Sequence, residues 1–257
     1  MRDTVQMATN TRELTVVVPI FNEEASVFEC LTRLMDVLNG ENFVIVVVDD
    51  GSFDDSPGQA MLMPEDKVKV ILQGRNTGKG AALKTAFRGI ETEYFAYIDG
   101  DLDLRPDGIL RGLGALRKDP ELDAAIGSKL HPDSDVEYSR SRMIMSTAYR
   151  LFVKALFNLP VSDTQTGLKV FRTKTVLPIL LETQSDGWAF DLEAIVRLKS
   201  SGLQIAEIPI ELDYKFTSSL NFGSAVNAIY ETLKAFWLIR VVSQIRDKPR
   251  GEGGKPR

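Results

Sequence analysis

The sequence predicts an α/β fold, a mostly parallel sheet flanked by helices, from three observations. Residues 14–18 (LTVVV), 43–48 (FVIVVV), 68–72 (VKVIL) and 94–98 (YFAYI) are short, continuous apolar runs rich in β-branched side chains, as strands covered on both faces require. Between them Val27, Phe28, Leu31, Leu34, Met35 and Leu38 recur at helical spacing, and so do Leu83, Ala86, Phe87 and Ile90. The regular alternation of the two patterns implies parallel pairing with right-handed crossovers.

After Gly127 the pattern turns more helical. Ile144, Ala148, Leu151, Phe152, Ala155 and Leu156 form an apolar stripe, residues 205–210 read as a strand, and a long apolar helix is expected over about 224–242. Residues 1–13 are expected to be disordered, and the basic tail 247–257 reads as disordered from its Gly, Pro and charge content. No run of 18 apolar residues occurs and no signal-peptide core is present, so no transmembrane span is expected.

Bulk properties exclude several functions. With 257 residues, 44% hydrophobic and 26% charged, the chain suits one large domain or two small ones. A net charge of −5 argues against a general nucleic-acid binder, which needs a basic surface to displace counterions. Cys30 is the single cysteine, so no internal disulfide can form; its apolar helical setting suggests a small buried hydrophobe in a reducing, cytoplasmic compartment. His131, the single histidine, cannot be half of a histidine metal pair and sits in a Pro-Asp-Ser turn.

In sheets of this class ligands bind beyond the carboxyl ends of the strands, and four loops lie there: PIFNEE (19–24), DDGS (49–52), NTGKG (76–80) and DGDLD (99–103). Asp99-Gly100-Asp101 puts two carboxylates on a tight loop where Mg²⁺ or Mn²⁺ can bridge them, although Asp and Gly also make plain turns. Asp49 and Asp50 end a buried strand, where desolvation and mutual repulsion call for compensation by a ligand. Capping by Ser52, Asp54 or Asp55 is the alternative. Asn76 to Gly80 opens a helix with glycines and Lys79, an arrangement suited to an anion or simply to a helix start. The GxxxxGK[ST] spacing of a P-loop is absent, which disfavours ATPase chemistry.

Taken together, PIFNEE, VVVDDGS, NTGKGAAL and YIDGDLD resemble the nucleotide-binding half of glycosyltransferase family 2, whose members have the GT-A fold. The resemblance covers about residues 14–220. It implies a GT-A domain with a nucleotide-sugar half (14–104) and an acceptor half (105–220), followed by a C-terminal amphipathic helix (221–246). By resemblance Pro19, Phe21, Glu23 and Asp50 bind the nucleoside, with Asp49, Lys79 and Gly100 completing the donor site. Asp99 and Asp101, with Asp103 as a third ligand, would hold the metal against the donor diphosphate.

Gly127-Ser128-Lys129, Ser139-Arg140-Ser141-Arg142 with Ser146, and Asp163 to Lys169 (DTQTGLK) resemble the polyprenyl-phosphate hexose synthases within that family. By that likeness Lys129, Arg142 and Ser146 grip the lipid phosphate; Arg142 and Ser146 keep the i, i+4 spacing of one helix face. Lys129 replaces the usual Arg, turning a bidentate grip into a point charge. Lys215 stands where relatives carry a basic residue that reaches the donor phosphates, but the following TSSLN (217–221) lacks the Lys that many of them keep. DTQTGLK and WAFDLE (188–193) look more like the dolichyl-phosphate glucose branch than the mannose branch, so UDP-glucose is favoured over GDP-mannose.

The expected reaction is inverting transfer of a hexose to a polyprenyl or dolichyl phosphate at the cytoplasmic face of a membrane, with catalytic roles for Asp101, Asp163, Arg142 and Lys215. The stripe around Ile144 with Arg142, Arg150 and Lys154 would touch the membrane. Lipid, core packing, a second copy or a membrane-protein partner remain open for the last helix. Two alternatives are a family 2 transferase acting on a sugar hydroxyl with Asp163 as base, and a non-catalytic nucleotide-sugar binding module.

Overall fold

The apolar runs do become neighbouring strands. The structure, a computed structural model, describes residues 12–135, 159 and 161–213. β1 (Leu14–Ile20) pairs in parallel with β2 (Phe43–Asp49) on one side and β4 (Tyr94–Ile98) on the other, and β3 (Val68–Leu72) adds to β2. β5 (Leu122–Ser128), β6 (Leu168–Arg172) and β7 (Gln204–Pro209) complete a sheet of order β3-β2-β1-β4-β6-β5-β7. Both expected halves of the domain contribute strands to it. β6 is antiparallel to β4 and β5, and the other pairings are parallel. The mostly parallel sheet is therefore observed, with one reversed strand that the sequence reading does not contain.

Period-2 alternation divides the strand residues between two helical layers. Val16, Val18, Ile45 and Val47 face α1 (Val27–Val37), α2 (Ser56–Met61) and α4 (Asp107–Lys118), whereas Val17, Val46, Val48, Phe95 and Tyr97 face α3 (Lys79–Phe87), α5 (Thr173–Leu181) and α6 (Phe190–Ser200). Burying each such Val, Leu or Phe contributes about 1.5–3 kcal/mol, so the two layers fix the strand register.

Two expectations need correction. Phe28 belongs to the apolar pattern of α1 yet is 46% exposed, because Val27, Cys30, Leu31 and Leu34 already fill the face against the sheet. β3 is not covered on both faces: as an edge strand it exposes Lys69 and Leu72. Cys30 is buried as expected, and burial pushes its thiol up to about 12, which removes thiolate chemistry at neutral pH. Among the described residues no helix is long and apolar enough to cross a membrane. The stripe around Ile144 and the helix expected over 224–242 lie outside the described residues.

Candidate active site

The carboxyl ends of β1, β2 and β4 bring the acidic loops to one rim. The first two loops are zipped together: Asn22 donates its N–H to Ser52 Oγ (2.9 Å) and accepts the Phe53 N–H on Oδ1 (2.9 Å), while Glu23 and Glu24 donate their N–H groups to Ser56 Oγ (2.7 Å) and Asp54 Oδ2 (3.1 Å). Asn22 takes a left-handed backbone (φ 57°), a cost that this pairing offsets. Phe21 and Phe53 meet edge to face at 6.1 Å, and Phe53 is 89% exposed, so the pair offers an open aromatic surface beside Pro19.

Asp49 and Asp50 are buried, and the chain itself compensates them. Asp49 accepts the Gly51 and Ser52 N–H groups, and Asp50 accepts Thr77 N–H (2.7 Å), Thr77 Oγ1–H (2.9 Å) and Gly78 N–H (2.8 Å). The expectation that the pair needs a ligand for compensation is corrected, since backbone amides stabilise both carboxylates. Asp50 also ties the second loop to NTGKG.

The glycines of NTGKG admit close packing of another segment of the chain. Gly78 has φ +99°, and a Cβ there would lie 2.4 Å from Asp186 O, because residues 185–187 cross directly over the start of α3. Gly78→Ala is therefore expected to lower stability by about 2 kcal/mol, read as the shift in urea midpoint at unchanged m. A midpoint equal to wild type would show that the crossing is not tight.

Lys79 is the first residue of α3, and its side chain lies over the DGD loop, 10% exposed. Its Nζ is 2.7 Å from Asp99 Oδ1 and 3.2 Å from Asp191 Oδ2, between the rings of Tyr97 and Trp188, each 5.7 Å away. Burial opposes the ammonium, but Asp191 and Asp99 outweigh it and raise its pKa. Asp99 is also packed against Gly167, where a Cβ would fall 1.8 Å from Asp99 Oδ2; only glycine leaves that space.

Asp101 accepts Asp103 N–H (3.0 Å), and among the described residues no Lys or Arg pairs with it. Burial first, then Asp99, pushes its carboxyl up to about 7. Burial and the same neighbour raise Glu23 as well. Ser26 Oγ–H links the two loops, reaching both Glu23 Oε2 (2.8 Å) and Gly100 O (3.1 Å).

The expected Asp99, Asp101 and Asp103 triad is not a ready cage: among the described residues no three His, Cys, Asp or Glu gather around one point. The reason is that Asp99 turns under Lys79. What stands at the rim is a desolvated carboxylate in like-charged surroundings, a donor set that fits a hard cation completed by ligand oxygens and water.

The second half of the domain joins the same rim. Asp99 N–H donates to Gly167 O (3.1 Å), and the Asp163 carboxylate accepts Lys129 N–H (3.3 Å) and Gln165 N–H (3.2 Å). Glu207 on β7 holds this loop by accepting Ser162 N–H (2.6 Å) and Asp163 N–H (3.2 Å). Lys129 and Asp163 are thus brought together, whereas Arg142, Ser146 and Lys215 lie outside the described residues. His131 serves its turn, accepting Asp133 N–H on Nδ1 (3.2 Å).

Sequence reasoning assigns no role to Tyr97, Lys169 and Asp191, which form a buried cluster behind Lys79. Asp191 Oδ1 accepts Tyr97 O–H and Lys169 N–H, both at 2.5 Å. The available signal was charge out of pattern: a lysine inside LKVFR and an aspartate inside WAFDLE.

A Rossmann-like sheet with a D-x-D loop on its rim is the architecture of GT-A glycosyltransferases. The profile described as "Glycosyl transferase family 2" matches residues 15–177, and the chain belongs to that family. It is 31% identical over 88% of its length to an undecaprenyl-phosphate mannosyltransferase of Micrococcus luteus, 96% of which is covered. It is 27% identical to the glycosyltransferase AglD of Haloferax volcanii and to the dolichyl-phosphate beta-glucosyltransferase of Saccharomyces cerevisiae, over 91% and 77% of the chain. The chain spans 38% and 66% of the length of those two proteins. Among solved structures, glucosyl-3-phosphoglycerate synthase of Mycobacterium tuberculosis, in complex with Mn²⁺, UDP and glucosyl-3-phosphoglycerate, superposes with a TM-score of 0.68. That match has 18% identity, covers 91% of this chain and 82% of the other, and concerns the fold.

Proposed function

We propose that the chain moves a hexose, with inversion, from a nucleoside diphosphate sugar to a polyprenyl phosphate at a membrane surface. The observation that carries this reading is the joining of the halves: DGD is bonded to the DTQTGLK loop through Asp99 N–H and Gly167 O, and that loop to GSK through Asp163 and Lys129 N–H. Donor and acceptor residues so linked fit a single displacement between two bound substrates. The relatives' names supply the acceptor class, and the two segments that favour the glucose branch favour glucose as the hexose.

The acceptor phosphate oxygen attacks the anomeric carbon as the bond to the diphosphate breaks, and the departing electron pair leaves with the nucleoside diphosphate. A phosphate is already ionised near neutral pH, so the protein's contribution is positioning and charge compensation. Asp163, accepting two backbone N–H groups, suits the role of organiser between donor and acceptor. Arg142, Ser146 and Lys129 would hold the acceptor phosphate. Lys215, by resemblance, would meet the donor phosphates. Mg²⁺ or Mn²⁺ would be held by Asp101 with Asp99 or Asp103, and when bound it neutralises the diphosphate.

The test is transfer of label from UDP- and GDP-hexoses to polyprenyl phosphate with Mg²⁺ or Mn²⁺, scored in the organic phase. Arg142→Ala is expected to raise the acceptor KM about 30-fold, the equivalent of about 2 kcal/mol for a lost charged phosphate contact. Asp163→Asn should keep measurable transfer. An unchanged acceptor KM in the first variant, or complete loss in the second with a sugar hydroxyl serving as acceptor, would overturn the reading.

A further inference from the structure

Asp191 lies on α6, far in sequence from the acidic loops, with its side chain 1% exposed. Its Oδ1 is occupied by Tyr97 O–H and Lys169 N–H, so Oδ2 is the oxygen left to face Lys79 Nζ, 3.2 Å away. Lys169 is anchored in turn by Thr166 O at 2.6 Å. Lys79 Nζ is thus held between Asp99 Oδ1, 2.7 Å away, and Asp191 Oδ2. An ammonium has three N–H donors, so two carboxylates leave one to meet an oxygen that the described residues do not supply.

We propose that Asp191 is a positioning residue for the donor: it holds Lys79 from the core side, keeping the ammonium between Asp99 and an oxygen of the bound nucleoside diphosphate sugar. A lysine head is a point charge on a flexible stem, and a single carboxylate would draw it into one tight pair. Opposed carboxylates hold it between them instead. Tyr97 and Lys169 fix Asp191, so elements of both halves set the place of one group at the start of α3. This inference rests on the donor reading above.

The experiment is calorimetric titration of the full chain with Mn²⁺ and UDP, and with Mn²⁺ and GDP, for wild type, Asp191→Asn, Lys79→Met and the double variant. Each single change is expected to weaken binding of whichever nucleotide the wild type takes by about 10- to 100-fold, as loss of a supporting partner does. The double variant should bind no more weakly than Lys79→Met, since Asp191 acts through Lys79. Asp191→Asn combined with Lys169→Met removes both buried charges; it should regain the melting temperature lost in Asp191→Asn while affinity stays low. Wild-type affinity in Asp191→Asn, additive losses in the double variant, or recovery of affinity together with melting temperature would each overturn the role. If the wild type bound neither nucleotide with Mn²⁺, the donor reading itself would fall.

Discussion

Asp101→Asn is expected to cost about 10²- to 10³-fold in transfer and at the same time raise the melting temperature of the metal-free protein. The loss follows from removing the carboxylate that no basic side chain among the described residues satisfies, the one best placed to share a cation with the donor. The gain follows from the same crowding. Its folded pKa, about 7, lies above the ordinary 3.8, so the fold disfavours the ionised form. This group's contribution is therefore most favourable at low pH and is lost as pH rises through the window from about 4 to about 7. Allowing for partial solvent screening, neutralising it should add about 2 kcal/mol at pH 8 and about 5 °C in Tm. Melts of both proteins in EDTA at pH 5 and pH 8 check this. The advantage of the variant should be small at the lower pH and larger at the higher. A variant less stable than wild type at pH 8 would show that the rim is not strained by charge.

Asp191→Ala is expected to be the most destabilising single change in the site, by about 3–5 kcal/mol and with at least 10 °C lost in Tm. It would leave the fully buried Lys169 facing Lys79 without a shared counterion, and the Tyr97 hydroxyl without its acceptor. Breaking a buried pair costs more than the pair contributes, because an uncompensated charge remains. Chemical denaturation of the variant checks the magnitude, and adding Lys169→Met should recover much of it. A loss below about 1 kcal/mol would mean that water reaches the cluster.

What could be read from the sequence was what depends on local pattern. The runs at 14–18, 43–48 and 94–98 became strands because an apolar stretch buried between two helical layers has few other places to go, and 68–72 adds to them as the edge strand. The rim loops followed from parallel topology. What escaped were pairings between distant segments. β6 is five residues long with a lysine inside, and only the full sheet shows that Lys169 points at Asp191. The glycine at 78 signals close approach, but not that the approaching group is the backbone at 186. Asp50 signals a need for donors, and Thr77 and Gly78 supply them from a loop more than 25 residues on.

The reversal of β6 has a consequence for how such a scaffold can diversify. β5 ends at Ser128 on the rim, and β6, running the other way, starts there at Leu168. The intervening segment thus departs and returns at one spot, its ends clasped by Lys129 with Asp163 and by Ser128 with Ser162. Lengthening or exchanging that detour would strain neither sheet nor nucleotide end, since loop closure rises only slowly with length. On the function proposed above, choice of acceptor can in this way change by trading one insert, while the machinery for the sugar donor stays fixed.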